Sequence, residues 1–101
     1  MLNLMNIFPD KAYLIKENGE ICQITPSNGS DFVLEEAQGY VGGFIEVVRL
    51  NEQQIMIVDE EGKFSKVLNV FASAIADSYK AIRCNDYIAG DAVICPSTML
   101  R

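Results

Sequence analysis

Four consecutive apolar residues, Ile55–Val58, constrain the fold of this 101-residue chain more than any other feature. They belong to a strand-length segment, residues 54–59, with a turn predicted over 51–53 before it and an acidic turn containing Gly62 after it. Because successive side chains of a strand point to opposite faces, a strand that is apolar at every position has to be buried on both faces. The segment therefore predicts a sheet that is covered on both sides.

Other strand-length apolar runs are separated by turn residues. The Asn18-Gly19 pair is the strongest hairpin signal, because a type I′ turn needs a positive φ at both of its central positions. Gly90-Asp91 interrupts the last run, as a β-bulge does, and Pro96 ends it. Besides the strand at 54–59, the predicted strands cover residues 12–17, 20–25, 44–50 and 87–95.

The first predicted helix covers residues 31–41. Ser30 or Asp31 can act as its N-cap, and Gly42 can adopt the left-handed conformation that ends a helix. Three apolar residues have the spacing of one helix face: Leu34, Ala37 and Val41.

A second helix is predicted over roughly residues 70–80. Asn69 is its expected N-cap, and the alanines of the segment allow close packing. Apolar or aromatic residues again recur on one face: Phe71, Ile75 and Tyr79.

The element order ββ-α-ββ-α-β predicts the α+β class, with a largely antiparallel sheet of about five strands and two helices in a single domain of residues 1–101. We expect both helices to cover one face of the sheet. The apolar run at 55–58 then requires a partner on the other face, which favours a homodimer or a higher homo-oligomer. The apolar segment Met1–Phe8 is expected to be a first strand or part of an N-terminal arm, residues 1–11, which can also serve self-association.

The composition excludes several classes of function. The chain has no His, so Ser-His-Asp and Cys-His catalysis cannot be built within it, and the commonest metal ligand is missing. It carries 8 basic and 14 acidic residues, which give a net charge of −6. Because this charge repels the phosphate backbone, we expect no general binding to DNA or RNA.

The three cysteines, Cys22, Cys84 and Cys95, favour a reducing compartment. An odd number of cysteines without a CxxC pair predicts neither a disulfide framework nor a zinc or redox motif. No run of residues approaches the roughly 20 apolar positions of a membrane-spanning helix. We therefore expect a cytoplasmic protein that binds no membrane, metal or cofactor.

Charge is distributed unevenly along the chain. Residues 1–62 hold 3 basic and 11 acidic residues, a net charge of −8, whereas residues 63–101 hold 5 basic and 3 acidic residues, a net charge of +2. Two lysines precede the second predicted helix, whose N-terminal N–H groups favour an anion, and an aromatic ring between the lysines can stack on a base. The alternative is that these lysines are solvated and balance the acidic turn beside them. The predicted residues for a small phosphate-bearing ligand are Lys63, Phe64, Lys66 and Asn69.

Four segments resemble the signature of one protein family: residues 41–48, with the run Gly-Gly-Phe-Ile-Glu-Val, residues 58–63, Asn69, and residues 86–91. Over about residues 12–95 the chain is similar to the domain-of-unknown-function family numbered three-eight-four-six. The resemblance implies a small protein of a bacteriophage or mobile element and implies no reaction. The same residues also have structural explanations, because Gly, Asn and Asp are typical of helix caps, turns and bulges.

Three functions are compatible with these patterns. The first is a non-catalytic binding protein that counters host defence by sequestering a nucleotide-type signalling molecule, in a pocket between protomers in the host cytoplasm. The alternative is an acidic inhibitor or adaptor that uses residues 1–62 to bind a host protein. The third is an enzyme with carboxylates around a divalent metal, although no metal motif supports Glu46, Glu60 and Asp86 in this role. We favour the first, because sequestration needs a pocket and no catalytic residue.

Overall fold

The computed structural model describes residues 8–101, and its centre is one antiparallel sheet of five strands. The sheet order is β2-β1-β5-β4-β3, so the last strand of the chain lies in the middle and joins the two hairpins. The predicted α+β class is confirmed. The strands are β1 (Ala12–Ile15), β2 (Ile21–Ile24), β3 (Ile45–Arg49), β4 (Gln54–Asp59) and β5 (Ala92–Pro96).

Three α-helices accompany the sheet: α1 (Leu34–Val41), α2 (Gly62–Ser65) and α3 (Val70–Ser78). A short 3-10 turn, Ser97–Met99, follows β5. The single turn α2 was not predicted, because the acidic residues before it and its first residue, Gly62, are typical of a loop. The order is therefore ββ-α-ββ-αα-β, which differs from the prediction only by this turn of helix.

The hairpin predicted at Asn18-Gly19 is present, but its turn is not of type I′. Lys16 donates its N–H to the Glu20 carbonyl at 2.8 Å, and Gly19 donates to the Lys16 carbonyl at 3.0 Å. Of the two central residues only Gly19 has a positive φ, 96°. This pattern is that of a three-residue loop, in which one left-handed glycine after an ordinary turn restores the strand pairing.

Helix α1 begins at Leu34, three residues later than predicted, and no side chain caps it. Asp31 is not the cap, because its carboxylate has other partners. It accepts a hydrogen bond from the Asn28 side chain at 2.8 Å and forms an ion pair with Arg101 at 3.2 Å. The other end is as predicted. Gly42 has a φ of 78°, and its N–H donates to the Gln38 carbonyl at 2.8 Å.

The two long helices lie on opposite faces of the sheet, which corrects the prediction that both cover the same face. Along β4, Ile55 and Ile57 pack in the cluster that contains the buried residues of α1. Met56 and Val58 pack in the cluster that contains the buried residues of α3. The apolar run is therefore covered on both faces within one chain. The argument that a bare face requires a homodimer no longer holds, and the homo-oligomer stays a prediction.

Part of the predicted N-terminal arm, residues 1–7, lies outside the described residues. The described chain begins at Phe8, whose N–H donates to the Tyr13 hydroxyl at 3.0 Å. Among residues 8–101, none of the helices reaches the length and apolarity that crossing a membrane requires.

Candidate functional site

A groove of about 520 Å³ runs between the edge strand β3 and the segment 81–89 that follows α3. It lies on the α3 side of the sheet, where Val48, Val58 and Ile88 belong to or pack against the α3 core. Its rim carries charged residues of both signs. We call it the β3 groove.

The groove exists because the chain turns back sharply after α3. Lys80 has a positive φ of 55°, and Ala81 donates its N–H to the Ala76 carbonyl at 2.9 Å, which reverses the chain at the helix end. The returning segment is then held against α3 by hydrogen bonds of Ile88 to Ser73 and Asn69. Ile88 donates its N–H to Ser73 Oγ at 2.8 Å, and its carbonyl accepts from the Asn69 N–H at 2.9 Å. The wall opposite β3 is therefore fastened by backbone hydrogen bonds.

An ion pair between Lys63 and Asp86 lines the groove. The Lys63 ammonium also lies 5.1 Å from the centre of the Tyr87 ring, within the range of a cation–π contact. Asp86 accepts a second hydrogen bond from the Tyr87 N–H at 2.7 Å. The hydrogen bond from Lys63 and the one from Tyr87 together lower the pKa of Asp86, and the charge of Arg83 adds to this effect. Asp86 is therefore ionised at neutral pH.

The carboxylates of the metal-enzyme hypothesis all line this groove. Glu46 lies on β3, Glu60 follows β4, and Asp86 lies on the opposite wall. In the described part of the chain, however, no group of three or more Asp, Glu or Cys side chains is arranged to hold a metal ion. Lys63, moreover, already neutralises Asp86.

The structure does not bring the four predicted ligand residues together. Lys63 lies in the β3 groove. Phe64, the next residue, is 88 % exposed and is not part of the groove lining. Lys66 points toward the end of α1, and Asn69 is buried beneath α3. Of the four residues only Lys63 lines the β3 groove, and the predicted ligand site stays a prediction.

Lys66 is held by three oxygen atoms of its own chain. Its Nζ is 2.8 Å from Asp59 Oδ2, and it donates to the carbonyls of Val41 at 2.6 Å and Gly42 at 3.1 Å. Those carbonyls end α1, where a cation is favoured by the helix dipole. Burial alone would raise the pKa of Asp59, but the Lys66 ammonium and the N–H of Glu61 together lower it. The pair therefore fastens β4 and α2 to α1.

Glycines surround the Asp59–Lys66 ion pair. The glycines in the segments that carry the family resemblance therefore have a structural role. A Cβ on Gly43 would lie 2.8 Å from Asp59 Oδ1, and a Cβ on Gly90 would lie 2.8 Å from Cδ of Lys66. Gly90 also has a positive φ of 83°. Both contacts are closer than van der Waals packing allows, so the glycines make room for the Asp59–Lys66 pair.

Asn69 caps α3 as predicted, but the prediction that it contacts a ligand is not supported by its position. Its side chain is completely buried, at 0 % exposure. Oδ1 accepts from the Ala72 N–H at 3.0 Å, and Nδ2 donates to the carbonyls of Ile15 and Gly90, both at 2.8 Å. These bonds join α3 to β1 and to the approach to β5. An Asn is needed here because Ser, Thr and Asp lack two donors.

Sequence reasoning did not include Arg83, Tyr87 and Val48 among the site residues, although all three line the groove. Arg83 and Tyr87 follow α3, and Val48 lies on β3. The signal that could have indicated these residues was the family resemblance, because two of the segments that carry it, 41–48 and 86–91, contribute residues to the two walls of the groove. The chain reversal at Lys80, which brings them together, has no clear signature in the sequence.

Comparison with protein-family models matches residues 11–98 to the family described as "Domain of unknown function (DUF3846)". The match confirms the resemblance and covers slightly more of the chain than residues 12–95. Searches of the curated proteins gave no match. Searches of the solved structures gave none either.

Proposed function

Because the chain belongs to the DUF3846 family of unknown function, we propose its function from the β3 groove: a non-catalytic binding protein for a nucleotide-type ligand. The observation that carries the proposal is the setting of Lys63. Its ammonium lies in a groove, beside an aromatic ring, and its partner Asp86 is a carboxylate that a ligand phosphate can replace.

The Lys63–Asp86 pair is open to exchange. The two side chains are 48 % and 34 % exposed, and an exposed ion pair contributes only about 0–1 kcal/mol to stability. A phosphate carries more charge and more acceptor oxygens than a carboxylate, so it competes well for the ammonium. Arg83 lines the same groove and can add a bidentate contact to the same phosphate.

The rest of the groove suits a base. Its volume of about 520 Å³ lies within the range of roughly 300–1,000 Å³ that is typical of small-molecule sites. Tyr87 offers a ring face on which a base can stack, which contributes about 1–3 kcal/mol per base in known complexes. Val48 and Val58 supply apolar surface, and Glu46 can accept hydrogen bonds from an amino group or a hydroxyl.

The mixed charge of the groove restricts the ligand further. The carboxylates of Glu46 and Glu60 lie in the same groove as Lys63 and Arg83. A triphosphate would place several negative charges among these carboxylates, whereas one phosphate group can be confined to Lys63 and Arg83. We therefore expect a nucleoside monophosphate or a cyclic nucleotide rather than a triphosphate.

The proposal is one of binding without conversion. The chain has no His to act as a general base at neutral pH. The resemblance implies a phage or mobile element, and in that setting tight binding alone removes a host signalling nucleotide. All three cysteines are free thiols, which supports a cytoplasmic location.

A thermal-shift screen of nucleotides tests the proposal. We expect a monophosphate or cyclic nucleotide to raise the melting temperature, and the bound compound to be recovered intact. Lys63→Ala and Arg83→Ala should each weaken binding about tenfold to a hundredfold, because each removes a charged hydrogen bond. Lys11→Ala is the matched control, since Lys11 is exposed and does not line the groove.

The outcomes separate the competing functions. A nucleotide that binds but is recovered as a product would overturn the non-catalytic assignment. If no nucleotide shifts the protein, or if Lys63→Ala and Lys11→Ala weaken binding equally, the groove is not the site. Salt-sensitive binding to a basic protein, with no nucleotide effect, is the result expected from the acidic inhibitor or adaptor instead.

A further inference from the structure

Among residues 8–101, strand β3 has an unpaired row of backbone groups at one edge of the sheet. Glu60 donates its N–H to the Phe44 carbonyl at 2.8 Å, and Leu50 donates to the Gln54 carbonyl at 3.0 Å. In an antiparallel pair, the residues that bond to the neighbouring strand alternate with those that face away. The even-numbered residues of β3 therefore bond to β4, and the odd-numbered residues present their N–H and C=O groups outward: Ile45, Val47 and Arg49.

This edge has few of the features that protect an edge strand. Proteins usually block such edges with charged side chains, especially Lys, or with Pro, a bulge or a covering segment. Strand β3 carries the charged residues Glu46 and Arg49, but it contains neither Pro nor Lys and pairs regularly with β4 along its whole length. Within residues 8–101, no backbone hydrogen bond reaches the outward groups of Ile45, Val47 or Arg49. Val47, at the centre of the strand, is 44 % exposed.

The opposite edge is different. Strand β2 is one residue shorter than β3. Because Lys16 bonds to Glu20, the even-numbered residues of β2 bond to β1, and only Ile21 and Gln23 within the strand present their backbone groups outward. Pro26 follows two residues after the strand and cannot donate to a further ladder. The structure therefore favours β3 as the edge that accepts another strand.

We propose that β3 pairs with β3 of a second copy of this chain, antiparallel and about a two-fold axis at Val47. In this register Val47 lies opposite Val47 of the second copy, and Ile45 lies opposite its Arg49. All three outward-facing residues then form hydrogen-bonded pairs, whereas a shift of two residues in either direction leaves one of them without a partner inside the strand.

The side chains are compatible with this register. On the α1 side, Val47 meets its own copy, which covers an exposed apolar residue. On the α3 side, Glu46 lies opposite Val48 of the second copy, so no two like charges are directly opposed. The result is a continuous sheet of ten strands. Both copies of the β3 groove lie on the same face of it, side by side at the axis, since Glu46 and Val48 line the groove.

Disulfide trapping tests the register directly. In a Cys22→Ser, Cys84→Ser background, which removes the exposed thiols, we would prepare Glu46→Cys and Val48→Cys variants separately. The opposed Cα atoms of a non-hydrogen-bonded pair are about 4.5 Å apart, within the range of a disulfide. Mild oxidation should therefore link the two variants when they are mixed, and neither variant with itself. Self-linking of either variant would show another register and overturn the proposal.

Light scattering of the unmodified protein over a concentration series supplies a second measurement. We expect a concentration-dependent dimer that Val47→Lys converts to a monomer. Phe64→Lys is the matched control, because Phe64 is also an exposed apolar residue but belongs to α2 and does not line the β3 groove. A monomer at every concentration would overturn the proposal. So would a dimer that Phe64→Lys dissociates and Val47→Lys does not.

Discussion

Lys63 and Lys66 are separated by only two residues, yet the structure gives them opposite roles. The Lys63 ammonium lies in an open groove with one exchangeable carboxylate partner. Lys66 is 25 % exposed, and its partner Asp59 is 8 % exposed, with two helix-terminal carbonyls completing the shell. The comparison teaches that a cation is available to a ligand only where its partners are exposed. A cation that satisfies buried carbonyls is part of the fold.

The largest expected difference between the two lysines is in stability. Lys66→Met retains the aliphatic stem but leaves Asp59 as a nearly buried charge without its cation. We expect the free energy of unfolding to fall by about 3 kcal/mol, the lower end of the cost of breaking a buried ion pair. Lys63→Met should change it by less than about 1 kcal/mol, because that pair is exposed. Urea denaturation measures both, and equal losses would contradict the comparison.

A smaller effect is expected from crowding the Asp59–Lys66 pair. Gly43→Ala places a methyl group 2.8 Å from Asp59 Oδ1, so the carboxylate has to move away from Lys66. We expect a loss of about 1–3 kcal/mol, typical of overpacking. Gly39→Ala is the control, since its Cβ would meet no atom within 4 Å.

Gly39 lies inside α1, where Ala is favoured over Gly by about 0.5–1 kcal/mol. The two variants should therefore change thermal stability in opposite directions. A Gly43→Ala protein as stable as the Gly39→Ala protein would show that Asp59 has room to move.

The mildest test is the pH dependence of stability. The pKa of Asp59 is lower in the folded protein than its ordinary value of 3.8. Its ionised form therefore stabilises the fold fully at pH values above 3.8, and this contribution is lost as the pH falls through the lower folded pKa. We expect the stability difference between the unmodified protein and Asp59→Asn to be constant near neutral pH and to shrink below about pH 4. A difference that is the same at pH 3 and pH 7 would contradict the assigned pKa direction.

Much of the fold could be predicted because the signals are local. The strand at 54–59, the glycine that ends α1 and the Asn that caps α3 each depend on residues within one turn or one strand. The predicted start of α1 was wrong because Asp31 bonds to Asn28 and Arg101. The backbone of Phe32 also bonds to Met99 and Arg101, which are distant in the sequence. The prediction that both helices cover the same face of the sheet was wrong because that face is also decided by contacts between distant segments. The amphipathic pattern shows which side of a helix is buried, but not which face of the sheet it covers.

The site was less predictable than the fold. The cationic and aromatic residues near position 63 predicted a phosphate site, and that site stays a prediction. The structure adds that each lysine has a partner from a distant part of the chain. Asp86 is 23 residues from Lys63, and Val41 is 25 residues from Lys66. Neither partner has a spacing that marks it in advance.

The sequence by itself determined the α+β class, the absence of histidine chemistry and the family. It also determined the strand segments except the last, which was predicted to begin at residue 87 and begins at Ala92. Those properties follow from composition and from interactions between near neighbours. Only the tertiary structure decided that helices of the same chain cover both faces of the inner strands, that β3 is the open edge among residues 8–101, and that Lys63 has an exposed partner whereas Lys66 does not. These three features depend on which distant segments of the chain are in contact. Whether a charged side chain is buried also depends on those contacts and not on its neighbours in the sequence.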